Sequence, residues 1–243
     1  MSSKEDLREG RKPSSKVCDI IQYQKFTQPY EELHSLPTVI YAPFPRDDRS
    51  RYEALMRSKV LKISEACLVE HAAADPEEFI FSPYLVDCVG LIASEDTGEG
   101  SKRVYVGHLE RSTAKESLEE FVKKHKFSLS NSEVCIITSV QSDVLLLTYN
   151  MLKESGFKKI SKSFGPLVRE INQIYVPSFM FKYAEKDPAT LVKLVERDVR
   201  NWSSRALIVS TATGGLFRLN PEQPSLDSKE LLDLKGIKPE TLF

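Results

Sequence analysis

The feature of this sequence that most constrains its fold is a turn cluster, EDTGEGS at residues 95 to 101, between two segments with β-strand character. Leu85 to Ser94 is apolar and partly β-branched. The segment Arg103 to Leu109 alternates two sets of side chains between its faces, Val104, Val106 and His108 against Tyr105 and Gly107. Such alternation around a glycine-containing turn predicts an antiparallel β-hairpin.

The other segments mix helical and strand patterns without a regular βαβ order. Capping and breaker residues predict helices over 47 to 56, 64 to 74, 113 to 122, 143 to 155 and from Asp187 onward, the third with a capping box at Thr113 and Glu116. Strand patterns cover 37 to 45, 134 to 140, 158 to 162, 170 to 176, 205 to 212 and 216 to 219. This order favours an α+β fold in which helices flank a largely antiparallel β-sheet or sandwich core.

The chain divides into three parts by composition. Residues 1 to 36 contain Pro, Gly and Ser interruptions and predict a flexible leader. Residues 37 to 220 are expected to form a single α+β domain, and residues 221 to 243 form a C-terminal tail with a short helix.

Charge and hydropathy exclude several function classes. The 243 residues include 34 Lys and Arg against 35 Asp and Glu, interleaved throughout, so no basic face for nucleic acid is expected. The apolar runs are far shorter than the roughly 20 residues that cross a bilayer, and the first 16 residues do not resemble a signal peptide. Four scattered cysteines predict free thiols in a reducing, cytoplasmic setting. No nucleotide fingerprint is present, and we expect no cofactor and no metal.

The hairpin carries the candidate chemistry. If its turn is centred near Gly98, facing residues have numbers that sum to 196, and Cys88 faces His108. Directly opposed residues have β-carbons roughly 4.5 to 5.5 Å apart. An imidazole with a pKa near 6.5 can accept the proton of a thiol with a pKa near 8.5, which produces a nucleophile with an adjacent acid.

Plainer interpretations stay open at this point. A strand cysteine is often a small core residue, a strand histidine often has a local partner, and a register slip would separate the two side chains. Cys67 and His71 lie four residues apart on a predicted helix, but two ligands without further Cys or His nearby do not make a zinc site.

The segment SPYLVDCVGLIASEDTGEGSKRVYVGHLERS, residues 82 to 112, resembles the active-site hairpin of the CheD-like glutamine deamidases. That family includes chemoreceptor deamidases and, more distantly, the cytotoxic necrotizing factor toxins. Its Cys-Val-Gly strand opening matches Cys88, Val89 and Gly90, and its catalytic His matches His108. Its catalytic Thr matches Ser82, which keeps a hydroxyl but changes the residue type. The turn is longer here, and Glu110 replaces the proline that commonly follows the family's His-Leu.

The resemblance implies a CheD-like fold and a thiol amidohydrolase that converts a glutamine of a partner protein into glutamate. Cys88 would be the nucleophile, His108 the general acid and base, and Ser82 the residue that orients His108 through a hydrogen bond. Such an enzyme would act in the cytoplasm, or in a host cytoplasm as a delivered effector or toxin. The alternatives are a non-catalytic interaction scaffold and another thiol hydrolase, either a peptidase or a terminal-amide hydrolase; transglutamination by the same thioester also stays open.

Overall fold

The structure is a computed structural model that describes residues 31–85, 88–138, 143–164, 205–220 and 226–242. Its described strands are β1 Ala42–Pro43, β2 Lys59–Val60, β3 Ala66–His71, β4 Phe79–Leu85, β5 Val89–Gly98, β6 Ser101–Leu109, β7 Glu133–Thr138, β8 Lys159–Phe164, β9 Arg205–Ser210 and β10 Leu216–Arg218. Its described helices are α1 Glu31–Ser35, α2 Arg49–Met56, α3 Ala114–Lys124, α4 Asp143–Glu154 and α5 Asp227–Lys235, followed by a 3₁₀ turn at Pro239–Leu242. This is an α+β fold, as predicted.

The predicted hairpin is the centre of one five-stranded sheet, which we call the hairpin sheet. Its strand order is β3-β6-β5-β7-β8, antiparallel except for the parallel pair β7 and β8. Gly98 and Gly100 have φ of 101° and 76° in its turn, a region that glycine adopts without steric cost. The turn chemistry therefore confirms the hairpin.

The second sheet is built from strands distant in the sequence. Its order is β1-β10-β9-β4-β2, in which β9 pairs antiparallel with both β10 and β4 while the two edge strands pair parallel. The chain leaves this sheet at the end of β4 and enters the hairpin sheet at β5. Residues on either side of that crossing therefore belong to different sheets.

Three apolar clusters show that the fold has four layers. One cluster joins the outer face of the hairpin sheet to α1, α3 and α4. A second lies between the sheets and contains Cys88, Ile92, Val106 and Leu207. A third joins the outer face of the second sheet to α2, α5 and the 3₁₀ turn. The layer between the sheets contains the candidate chemistry.

Several predicted elements are confirmed within a few residues. They are α2, whose N-cap Asp48 accepts from the backbone of Arg51, together with β7, α4, β8, β9 and α5. Helix α3 is also confirmed, but the capping box is not formed, because the Thr113 hydroxyl donates to Ser64 Oγ. The strand at 170 to 176 and the helix from Asp187 lie outside the described residues.

The helix predicted over residues 64 to 74 is wrong. Residues 66 to 71 form β3, an edge strand that pairs with β6 along its whole length. The alanines there gave a helical pattern, but the ladder with β6 satisfies the backbone and buries part of the segment, so tertiary pairing overrides propensity. The predicted strand over 37 to 45 is reduced to β1 and a bridge between Thr38 and Lys162.

The described ends of the chain pack on the sheets. Residues 31 to 35, the last part of the predicted leader, form α1, and its Leu33 is fully buried. In the predicted C-terminal tail, Leu231 and Leu232 of α5 are buried against the second sheet. Within the described ranges, no helix is long and apolar enough to cross a membrane.

Candidate functional site

His108 lies near the end of β6 with its side chain between the two sheets. Val104 and Val106 belong to the same inter-sheet cluster, and strand alternation sends Tyr105 to the opposite cluster. The two faces predicted from the alternation are therefore confirmed. The backbone N–H of His108 donates to the carbonyl oxygen of Glu65 at 2.8 Å, which fixes the end of the strand.

Ser82 reaches His108 from the other sheet. Its Oγ lies 2.8 Å from Nδ1 of His108, and the two side chains are 0% and 1% exposed. The structure therefore contains the hydrogen bond that the family resemblance implied. It joins β4 of the second sheet to β6 of the hairpin sheet.

A bulge in β4 directs the side chains of Ser82 and Leu85 into this layer. Ser82 pairs with Leu207 and Leu85 pairs with Arg205, so β4 has one more residue than β9 in this interval. An extra residue reverses the face on which later side chains lie. Ser82 and Leu85 consequently both point toward the hairpin sheet.

The imidazole of His108 is held in its neutral form. Its Nε2 atom is buried and has no hydrogen-bond partner among the described residues. Burial lowers the pKa of His108 from 6.5 to about 4, although the nearby Glu110 carboxylate opposes the shift. At neutral pH the ring is therefore uncharged, and when Nδ1–H donates to Ser82 Oγ, Nε2 carries the free lone pair.

Cys88 lies immediately before β5 and is 6% exposed. The predicted direct pairing of Cys88 with His108 is wrong, because the ladder places Gly90 opposite His108. The turn is centred at Glu99, itself at φ 52°, so paired numbers sum to 198 over most of the hairpin. This shift of two residues preserves the face of each side chain, and Cys88 belongs to the inter-sheet cluster beside His108.

Gly90 is the ladder partner of His108 and lies two residues after Cys88. A β-carbon built on it would lie 2.7 Å from Leu207 Cδ1, 3.4 Å from Leu207 Cδ2 and 2.9 Å from Leu85 Cδ1. The side chains of Leu85 and Leu207 therefore pack directly on the Gly90 backbone. Sequence reasoning assigned no role to these three residues, although a glycine inside a strand pattern often marks a close approach of this kind.

The arrangement suits nucleophilic attack with proton transfer. Cys88 lies in the inter-sheet cluster two residues before Gly90, the ladder partner of His108. Residues in such diagonal positions of a ladder usually have α-carbons roughly 7 to 8 Å apart. Ser82 holds the imidazole at Nδ1, and a base held by a third residue belongs to the general pattern of nucleophile, base and orienting group. The predicted site residues Cys88, His108 and Ser82 are thus brought into one layer.

The other candidate pair does not form a site. Cys67 and His71 stand four residues apart on β3, a spacing of about 13 Å along a strand, too far for a shared metal ion. His71 Nδ1 instead lies 3.3 Å from Thr211 Oγ1. Among the residues that the structure describes, no three His, Cys, Asp or Glu side chains are grouped as metal ligands.

A cleft of about 250 Å³ lies elsewhere, between β3 and α3, and is lined in part by Tyr105, Ser117 and Glu120. None of the three candidate residues lines it. No protein-family model matches the chain, and no curated protein matches it in sequence.

Proposed function

We propose that this chain is a thiol-dependent amidohydrolase that deamidates a glutamine side chain of a partner protein. The observation that carries the proposal is the hydrogen bond from Ser82 to Nδ1 of His108, which leaves Nε2 without a described partner on the face that also bears Cys88. The resemblance of residues 82 to 112 to the CheD-like deamidases supports the same assignment. The site acts in the cytoplasm of the cell that makes it or of a host cell.

The reaction begins with the transfer of the Cys88 thiol proton to Nε2 of His108 as sulfur attacks the carboxamide carbon. The tetrahedral adduct collapses when the imidazolium donates that proton to the leaving nitrogen, which departs as ammonia. Cys88 is then bound to the substrate as a thioester. A water molecule then attacks the thioester carbon while His108 accepts one of its protons. His108 donates that proton to the departing Cys88 sulfur, and the product is glutamate.

Ser82 acts through His108 and not on the substrate. Its hydroxyl accepts from Nδ1–H in the tautomer that presents a lone pair at Nε2, and the same hydrogen bond stabilises the imidazolium that forms during attack. The low pKa of His108 means that its imidazole is neutral in the resting site. Charge separation then develops only as the substrate reacts.

The test uses the purified chain incubated with cell lysates. Conversion of Gln to Glu in lysate proteins is followed by mass spectrometry, and ammonia release is measured in parallel. Cys88→Ser and His108→Gln are expected to abolish both signals, whereas Ser82→Ala reduces them less. Cys135→Ser is the matched control, because Cys135 is also buried in the inter-sheet cluster but lies on β7.

A non-catalytic scaffold is the second candidate, and the burial of all three side chains favours it. A scaffold predicts that Cys88→Ser and the parent chain produce the same protein modifications or none, while both remain folded. That outcome in several lysates contradicts the deamidase proposal. Peptide cleavage or transamidation that depends on Cys88, without deamidation, identifies another thiol enzyme instead.

A further inference from the structure

The space over Gly90, the ladder partner of His108, is filled by leucine side chains in this structure. Gly90 lies opposite His108 in the ladder and two residues after Cys88. The two terminal methyl groups of Leu207 are both among the three nearest atoms to the position of a Gly90 β-carbon. The branched end of Leu207 therefore lies over the Gly90 backbone, directly across the ladder from His108.

The branched end of a leucine has nearly the size and shape of a carboxamide. In each, one carbon carries two non-hydrogen branches, which are two methyl groups in leucine and an oxygen and a nitrogen in the amide. A side chain that fits over Gly90 therefore outlines a space that a primary carboxamide also fits. Leu85 covers the same glycine from β4 and completes a roof with Leu207.

We propose that the space over Gly90 is the subsite for the substrate carboxamide, and that Leu207, covered by Leu85, fills it in the resting protein. This inference rests on the proposed function. The roof explains how a site with Cys88 and His108 so deeply buried stays closed without substrate. Opening it requires displacement of the Leu85 and Leu207 side chains, while the Gly90 backbone stays in its ladder.

Limited alkylation with iodoacetamide, which itself carries a primary carboxamide, tests the subsite. The rate at Cys88 is divided by the rate at Cys135, a cysteine of the same inter-sheet cluster that lies outside the proposed subsite. Leu207→Ala is expected to raise this ratio, because it removes both of the methyl groups that lie over Gly90. Leu85→Ala is expected to raise it in the same direction.

Val209→Ala is the matched control, because Val209 is buried on the same face of β9, two residues from Leu207. It is expected to leave the ratio nearly unchanged. An equal rise at both cysteines in Leu207→Ala, or no rise at Cys88, overturns the subsite. If circular dichroism shows that Leu207→Ala is unfolded, Leu85→Ala is used instead and is judged by the same criteria.

The two proposals fail separately in this experiment. If Leu207→Ala raises the Cys88-to-Cys135 alkylation ratio but the chain shows no Cys88-dependent deamidation, the carboxamide-sized subsite is supported and the deamidase is rejected. Cys88-dependent deamidation with an unchanged ratio rejects the subsite and retains the enzyme. A comparison with iodoacetate adds a chemical test, because an apolar roof admits a neutral carboxamide more readily than a carboxylate, so the gain in Leu207→Ala is expected to be larger for iodoacetamide.

Discussion

The two nitrogen atoms of His108 have different surroundings. Nδ1 is hydrogen-bonded to Ser82, whereas Nε2 is buried without a described partner. A buried polar atom without a partner usually costs free energy of about 1 to 3 kcal/mol. Buried polar atoms without a partner are more readily explained where the atom takes part in a reaction. This is consistent with Nε2 as the proton acceptor.

The burial of His108 predicts a specific pH dependence of stability. Its pKa falls from 6.5 in the unfolded chain to about 4 in the folded protein, so below pH 6.5 the unfolded state binds a proton that the folded state does not. The part of the folding stability that depends on a neutral His108 is fully present above pH 6.5 and is lost as pH falls toward 4. Its size is about 3 kcal/mol at 1.36 kcal/mol per pKa unit.

Urea denaturation at several pH values measures this term. Between pH 7 and pH 4 the free energy of unfolding is expected to fall by about 3 kcal/mol more in the parent chain than in His108→Gln, which cannot titrate. The comparison between the two chains cancels the carboxylates that titrate in both. Parallel pH curves for the two chains would contradict the buried, neutral imidazole.

Thiol reactivity provides a second prediction at this scale. Cys88 and Cys135 are 6% and 8% exposed, so their accessibility is similar, but Cys88 belongs to the cluster beside the imidazole. We expect iodoacetamide to react faster with Cys88 than with Cys135 near neutral pH, because Nε2 accepts the thiol proton. His108→Gln is expected to slow Cys88 at least about tenfold, within the range that a general base contributes, and to leave Cys135 unchanged.

Peptide mapping after partial alkylation gives both rates in one sample. Cys67 is a second internal reference. Unlike Cys135 it is only half-buried, and burial raises its pKa. Equal rates at Cys88 with and without His108 would show that the imidazole does not assist the thiol.

At the scale of elements, Gly90 sets how closely the two sheets approach. It pairs with His108 in one sheet, and Leu207, which packs on it, pairs with Ser82 in the other. The contact of Leu207 with Gly90 therefore brings Ser82 over His108. A larger residue at position 90 has to displace the Leu85 and Leu207 side chains, one of which is the ladder partner of Ser82.

Gly90→Ala is therefore expected to destabilise the fold by about 1 to 3 kcal/mol, the usual cost of overpacking a core. Leu207→Ala in the same chain is expected to recover part of that loss, since the two side chains compete for one space. Gly107→Ala is the control, because the three atoms nearest to its β-carbon all belong to Tyr105, at 3.1 to 3.4 Å, and not to the second sheet. The free energies of unfolding are measured by urea denaturation. If the effects of Gly90→Ala and Leu207→Ala are additive, Gly90 does not limit the approach of the sheets.

The local elements were largely predictable from the sequence because their signals are local. Glycines with positive φ fixed the hairpin, and cap residues located α2 and α3. The register was missed by two residues because the position of a turn centre depends on the backbone of Glu99, a residue without a glycine's signature. The helix predicted over 64 to 74 failed because β3 depends on pairing with residues 102 to 107.

The site was only partly predictable for a similar reason. Cys88 and His108 belong to one hairpin, so periodicity alone placed them on one face. Ser82 lies in another sheet, and only the family resemblance connected it with His108. Contacts of Leu207 with Gly90 join residues more than a hundred positions apart, and no local pattern reports them.

At the scale of the whole molecule, both described ends of the chain contribute to the layers. Leu33 is fully buried in α1, and Lys162 Nζ donates to its carbonyl oxygen. Glu32 accepts from Tyr149 and Lys153 of α4, which further fastens α1 to the helical layer. Residues 31 to 35 are therefore packed on the described layers.

Two truncations test this division. Removal of residues 1 to 16, whose composition cannot offset the entropy of ordering, is expected to leave the melting temperature nearly unchanged. Removal of residues 1 to 36 also deletes Leu33 and is expected to lower it by at least about 5 °C, from a loss of roughly 2 kcal/mol or more. Differential scanning calorimetry of both chains checks this. A large drop with the shorter truncation, or none with the longer one, would contradict the assignment.

The pairing of β4 with β9 has a consequence for the time at which the site is assembled. Synthesis proceeds from the N-terminus, so Ser82, Cys88 and His108 are all translated long before Leu207, whose strand is the antiparallel partner of β4. The hairpin can fold early because its contacts are local. The nascent chain therefore carries every reactive group without the strand that aligns Ser82 and covers Gly90. The enclosed site is therefore complete only after β9 has been synthesised and has paired with β4.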